Sequence, residues 1–348
     1  MNNENGYYSQ VDLSQKPSLE KVHLYNFRKL ESLDLSECSS LVSCYLYCAG
    51  DELYNDNKMM KVNMNDLESL NRIHWHAVSN PIGNIPSGTP LSTMHIETDG
   101  TKLEHLCDLD FSIVSALVSA YIYEISSLHD VSCINHNSIK RIYLRDSENV
   151  NDVVISGNQY LEDVRLYGFH YDNNPTYAKS VIIADNPSLV RLDVDYANLT
   201  GGFTYSNCPN LTGMEMMYAL ATEINLSGIN APSAELKIAY NSYIERIELN
   251  DITYPRVLDM SNNSALKDIE VHGCLSANCS FDLSNNVSLT GVWLSGNSFS
   301  SSRLNTICDK IVAKSPSGGT IDLRDNVNLP SQTKLDNLSN HGWTVLTS

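Results

Sequence analysis

One spacing constrains this chain more than any other property. From Leu106 to Leu166 the pattern apolar-x-x-apolar-x-apolar occurs six times, at Leu106/Leu109/Phe111, Leu117/Ala120/Ile122, Leu128/Val131/Cys133, Ile139/Ile142/Leu144, Val150/Val153/Ile155 and Leu161/Val164/Leu166, each copy starting 11 residues after the last. The final two apolar residues of a copy are two apart, so they share one side of an extended strand. The first stands where the chain turns in. One such copy is too short to close a coil around a core, whereas two, about 22 residues, close it with a short strand on each side. The chain is expected to be a repeat solenoid, mainly β, a right-handed coil with two parallel sheets back to back.

The same triplet occurs at Tyr8/Val11/Leu13, Leu19/Val22/Leu24, Leu30/Leu33/Leu35 and Leu41/Cys44/Leu46, and again at Leu189/Leu192/Val194, Leu211/Met214/Met216, Ile244/Ile247/Leu249, Leu266/Ile269/Val271 and Leu289/Val292/Leu294. About 24 triplets make about 12 coils, roughly 58 Å of stacked strands at about 4.8 Å each. Three residues after many triplets stands Asn or Cys: Cys38, Asn158, Asn186, Cys208, Asn241, Asn263, Cys274, Asn286 and Asn297. Inside a turn such a side chain can hydrogen-bond the backbone of neighbouring coils, so these residues are expected to be buried, the cysteines reduced.

Segments such as Leu33-Asp34-Leu35-Ser36-Glu37-Cys38-Ser39-Ser40-Leu41 and Phe281-Asp282-Leu283-Ser284-Asn285-Asn286-Val287-Ser288-Leu289 resemble the short-period leucine-rich repeats of bacterial surface proteins, including internalin-like ones with Asn or Cys ladders. The resemblance covers most of the chain. It implies a leucine-rich-repeat fold and says almost nothing about function.

The register breaks at 47–58, 76–90, 97–105 and 167–177, and the turn-rich stretch from Asn80 to Pro90 must loop out. Towards the end, Leu304 to Lys314 has helical spacing, Gly319 to Asn326 supplies a strand and corner, Pro330 to Asn340 reads as a helix, and Gly342 to Leu346 as an edge strand. This is similar to the helix-strand cap of bacterial and phage repeat proteins, which seals the open edge of a last coil. The organisation expected is a tail at 1–7, a solenoid at 8–300 and a small α/β cap at 301–348. With only about seven residues ahead of it, the first coil has no comparable cover. That edge is expected to be exposed, covered by a partner such as a virion protein, or sealed by another subunit.

The formal net charge is −18, which argues against nucleic acid as partner, since phosphates need clustered cations. No stretch is apolar for long enough to insert in a membrane. Met1-Asn2-Asn3-Glu4-Asn5 lacks the basic start and apolar run of a signal peptide. The expectation is a protein that stays in the cell that makes it or leaves without a cleaved signal, as in virion assembly.

No phosphate loop, dinucleotide glycine set or nucleophile elbow occurs, so no enzyme, cofactor or metal is expected. His74 and His76 lie two apart on one side of a strand without a third ligand nearby in sequence, and read as surface histidines. The pair Asp193 and Asp195 could hold Ca²⁺ but reads as solvated carboxylates. Outward positions of alternate strands recur every two copies. One set runs Tyr121, Tyr123, Arg141, Tyr143, Arg145, Arg165, Tyr167, Arg191, Asp193, Asp195; the other, including Asp130, Ser132, Asp152 and Val154, is small and bland. Tyr and Arg serve interfaces best, which makes the first set the candidate binding face. The expected function is a non-enzymatic binding or structural scaffold, virion-borne as a phage tail, adhesin or head-appendage protein, with a protein or glycan as partner. The alternatives are a secreted bacterial cell-surface adhesin and, more remotely, a polysaccharide-active enzyme on a β-solenoid.

Overall fold

The computed structural model describes residues 8–25, 30, 32–47, 61–65, 67–76, 91–97, 107–123, 128–147, 150–168, 178–227, 235–250, 255–275, 277, 279–314 and 318–348. The tail at 1–7, Leu106, the loop from Asn80 to Pro90 and most of the expected register breaks lie outside them. The chain divides into two compact units, 1–161 and 162–348.

Among the described residues unit 1 holds twelve strands: β1 (Gln10–Asp12), β2 (Lys21–Tyr25), β3 (Ser32–Asp34), β4 (Ser43–Tyr47), β5 (Lys61–Asn63), β6 (Arg72–His76), β7 (Thr93–Glu97), β8 (Cys107–Asp110), β9 (Ser119–Tyr123), β10 (Leu128–Ile134), β11 (Arg141–Arg145) and β12 (Asp152–Ser156). One parallel sheet runs β2-β4-β6-β7-β9-β11; the intervening strands pair as β1-β3-β5 and β8-β10-β12. Ser119 faces Arg141 and Val131 faces Val153, so one coil is 22 residues, as the doubled triplet requires. Among the described residues the alternation of sheets breaks once in this unit: β6 is followed by β7, and the two pair with each other, Arg72 against Thr93.

Unit 2 continues with β13 (Asp163–Tyr167), β14 (Ser180–Ala184), β15 (Arg191–Asp195), β16 (Gly202–Ser206), β17 (Gly213–Met217), β18 (Glu223–Ser227), β19 (Glu235–Ala239), β20 (Arg246–Asn250), β21 (Val257–Asp259), β22 (Asp268–Val271), β23 (Ser280–Asp282) and β24 (Gly291–Trp293), then α1 (Ser301–Lys314), β25 (Gly319–Asp322), α2 (Gln332–Asn340) and β26 (Trp343–Leu346). Odd strands β13 to β23 form one parallel sheet; even strands β14 to β24 form the other, extended by β25 and β26. Helix α1 packs against β23 and α2, and α2 against β26. Both helices and the final strand fall where the sequence periodicity changes. No helix among the described residues is long and apolar enough to cross a membrane.

The triplets are the core. Every described residue of the six copies from Leu109 to Leu166 is buried. The first triplets are the exception: Tyr8 is exposed, and Val11, Leu13 and Leu19 are half-buried. The corner residues are buried as expected, and Cys38, Cys208 and Cys274 form no disulfide among the described residues. In unit 2 the asparagines form a ladder. Asn263 Oδ1 accepts the Asn241 amide at 2.9 Å while its Nδ2 donates to the carbonyls of Ile238 and Met260 at 2.7 and 3.0 Å. Asn286 repeats this one coil on, accepting from the Asn263 amide and donating to Met260.

Just before each ladder residue the backbone is left-handed, at Tyr240, Asn262, Asn285 and Gly296 among others. Asn, Asp and Gly reach this region most readily. The tyrosines there are offset by stacking: Tyr196, Tyr218 and Tyr240 stand with ring centroids 4.7 and 5.5 Å apart and planes 9° and 22° from parallel.

Candidate binding faces

On the outer side of the β2-β4-β6-β7-β9-β11 sheet of unit 1, one aligned row of residues is entirely aromatic or imidazole. The strand register places His23 opposite Tyr45, Tyr45 opposite His74, His74 opposite His95, His95 opposite Tyr121 and Tyr121 opposite Tyr143. Successive ring centroids lie 4.5, 5.9, 4.1, 6.2 and 5.2 Å apart. The His74 and His95 rings are stacked, whereas Tyr121 and Tyr143 meet edge to face. Side chains stand roughly perpendicular to a sheet, so hydroxyls and ring nitrogens form the outer tips of the row and ring carbons its body. Tyr123 flanks it, edge-on to His95 at 5.1 Å, and Tyr25 flanks His23.

Of the sequence candidates, Tyr121, Tyr123, Arg141, Tyr143 and Arg145 fall together on β9 and β11 of this face. His23, Tyr45, His74 and His95 belong to the same row and were not among them. Arg145 is tied back, its Nε donating to the buried Asp146 carboxylate at 2.7 Å. Lys21, Arg72 and Arg141 are exposed and make no ion pair among the described residues.

The candidates Arg165, Tyr167, Arg191, Asp193 and Asp195 fall in unit 2, where Tyr167 and Arg191 both bond Asp193 and Asp195 accepts from the Met217 amide. Arg165 donates two hydrogen bonds to Asp163 at 3.0 and 2.9 Å. Asp193 Oδ2 accepts from the Tyr167 hydroxyl at 2.8 Å and from Arg191 Nε at 2.9 Å. Asp193 is 1% exposed and Asp195 7%, although both point outward by strand alternation. Asp193 Oδ1 is buried without a hydrogen-bond partner among the described residues. Burial pushes the Tyr167 hydroxyl well above its ordinary range, and its bond to the Asp193 carboxylate adds to that.

Burial also pushes Asp195 up to about 6, with Asp193 and Glu215 reinforcing it against the hydrogen bond from the Met217 amide. The folded state therefore holds this proton more tightly than the unfolded chain, whose value is 3.8. Stability linked to Asp195 rises as pH falls through about 6 and is fully gained below 3.8. At about 1.4 kcal/mol per pKa unit the full difference is about 3 kcal/mol, of which about 1 kcal/mol is gained by pH 5. Asp195→Asn keeps an acceptor for the Met217 amide and removes the charge. It is expected to be more stable than the parent at pH 8 and equal to it near pH 4, in urea titrations at both pH values. A parent-to-variant difference that does not change with pH would exclude a raised Asp195.

On the other outer face of unit 1, Asp108, His129 and Asp130 each bring one ligand atom within 4.8 Å of the other two. His129 Nδ1 is 3.4 Å from Asp108 and 3.2 Å from Asp130. One nitrogen and two carboxylate oxygens are a donor set that suits a divalent cation, and equally an imidazole ion-paired with two acids. His76 has no described side chain, while Trp75 between the two imidazoles is buried in the core. No family model matches the chain, and no curated protein matches it.

Proposed function

We propose that the chain is a non-enzymatic binding scaffold of leucine-rich-repeat type, which holds its partner on the aromatic face of unit 1. The observation that supports this is the row His23, Tyr45, His74, His95, Tyr121 and Tyr143, carried by six paired strands. Rigid rings on a sheet offer contact area at small entropic cost, and Tyr and Arg anchor interfaces more often than other residues do. A purely structural surface would be served as well by small polar residues such as those on the opposite face. Among binding roles, the helix-strand cap resembling that of phage repeat proteins favours a virion-borne adhesin or appendage.

The test is retention of the purified chain on bacterial cell envelopes, measured by sedimentation, with Tyr121→Ala/Tyr143→Ala beside the parent. Loss of two central anchors is expected to weaken retention by about 2 kcal/mol or more. Stability should change little, because both side chains project away from the core. Unchanged retention in this variant, with loss on Ala substitution at Val154 of the opposite face, would sink the reading.

A further inference from the structure

We propose that the ligand of the unit 1 face is a linear anionic polysaccharide of the polyuronate type, lying along the direction in which the strands stack. The proposal rests on the reading of this face as a binding surface and names the ligand's chemistry.

The charge distribution carries it. Outer positions of the β2-β4-β6-β7-β9-β11 sheet with described side chains include Lys21, Arg72, Arg141 and Arg145 and no acid. This excess of cations sits on a chain of net charge −18. Three of the four, Lys21, Arg72 and Arg141, are exposed without an ion-pair partner among the described residues. The odd-strand sheet of unit 2 is built otherwise. There Arg165 pairs with Asp163, Arg191 with Asp193, Lys237 with Glu215 and Lys310 of α1 with Asp282, while Asp195 and Asp259 leave acid in excess. Cations are thus neutralised locally on the unit 2 sheet, whereas three of the four on the aromatic face have no ion-pair partner among the described residues. Among the described side chains this sheet surface carries unpaired cations and no acid, which complements an anion. At about 0.15 M salt charges are screened over about 8 Å, so the acids elsewhere on the chain do not cancel this field.

The spacing selects a polymer of sugars among anions. Lys21, Arg72 and Arg141 occupy the same register column, since Lys21 faces Ser43, Ser43 faces Arg72, Arg72 faces Thr93, Thr93 faces Ser119 and Ser119 faces Arg141. Arg72 is two strand steps from Lys21 and Arg141 three from Arg72, about 10 and about 14 Å. A pyranose is about as long as one strand step, so a polyuronate in line with the row brings carboxylates past the cations at whole numbers of sugars. The neighbouring column supplies what the sugar hydroxyls need: phenol hydroxyls and imidazole nitrogens that donate and accept, on ring bodies that cover the apolar ring faces of the sugars. Arg is suited to gripping carboxylates with two parallel hydrogen bonds. Nucleic acid shares the negative charge and the affinity for aromatic rings, so it is an arm of the test.

The probes are polygalacturonate and alginate, with fully methyl-esterified polygalacturonate as the uncharged copy of the same backbone and poly-dT as the alternative polyanion. Binding is measured by calorimetry with the full chain at about 0.15 M salt, in EDTA to prevent gelation. The polyuronates should bind, the methyl ester at least about tenfold more weakly, and poly-dT more weakly than either polyuronate. Lys21→Ala/Arg72→Ala/Arg141→Ala should lose about tenfold or more in polyuronate affinity with unchanged unfolding. The proposal is overturned by no polyuronate binding, by equal binding of the ester, by tighter binding of poly-dT or by an unaffected triple variant. If any of these occurs while Tyr121→Ala/Tyr143→Ala still loses envelope retention, the face is a binding surface for a different ligand; if that retention too is unchanged, the functional reading falls with it.

Discussion

Replacing Asn263 with Ala is expected to lower the stability of unit 2 by about 3–4 kcal/mol, more than almost any surface change could. The side chain is fully buried and makes three hydrogen bonds to backbone groups. Alanine removes all three and leaves the Asn241 amide and the Ile238 carbonyl without their side-chain partner, while the Met260 carbonyl keeps the bond from Asn286 Nδ2 at 2.8 Å. Each such group costs about 1–3 kcal/mol when left unpaired. Asn263→Asp should be no milder, because a second oxygen replaces the amide that donates to both carbonyls. The neighbour Asn262 is the control. It is half-buried with a φ of +61°, and its side chain reaches only Ser261 and Asn285. Asn262→Gly should shift stability by about 0.5 kcal/mol at most, since glycine enters the left-handed region without strain. Urea midpoints decide it: a loss under about 1 kcal/mol in Asn263→Ala would mean that the ladder is ornament rather than support.

What could be read from the sequence follows from where the physics is local. The apolar triplets state their own strands, because Ile142 and Leu144 must face the core wherever the coil lies. The ladder was legible at Asn263 for the same reason, a fixed offset from the triplet before it. The row on unit 1 was legible only from Tyr121 onward. His23, Tyr45, His74, His95 and Tyr121 are opposite one another in space, yet His74 follows Tyr45 by 29 residues and His95 follows His74 by 21. Insertions change length without changing register, so a search at a constant period loses the alignment there. The consecutive pairing of β6 with β7 defeats simple alternation as well. Asp193 and Asp195 expose a different limit. Strand alternation places both outward, and neither burial nor the bonds from Tyr167 and Arg191 is written in that alternation.

The residue between the two imidazoles of β6 offers the sharpest test of the core of unit 1. Trp75 is fully buried, and register places it between Leu46 of β4 and Ile96 of β7. Its indole Nε1 has no hydrogen-bond partner among the described residues. Two opposing terms follow. The ring fills a large volume, and truncation to Ala leaves a cavity that the flanking strands cannot close, because their spacing is held by parallel hydrogen bonds; the expected loss is about 3–5 kcal/mol. A buried N–H that finds no partner, however, costs a folded protein about 1–3 kcal/mol. Trp75→Phe removes that penalty and keeps most of the apolar volume, so the transfer and cavity terms it adds are largely offset. Its expected cost is within about 1 kcal/mol of zero. Neither substitution touches His74, whose ring stacks on His95 from the opposite side of the strand, so polyuronate binding by Trp75→Phe should match the parent. Thermal or urea unfolding of the three proteins distinguishes the outcomes. If Trp75→Phe proves as damaging as Trp75→Ala, the indole N–H is satisfied in solution and the core of this unit is held by a bond the structure does not contain.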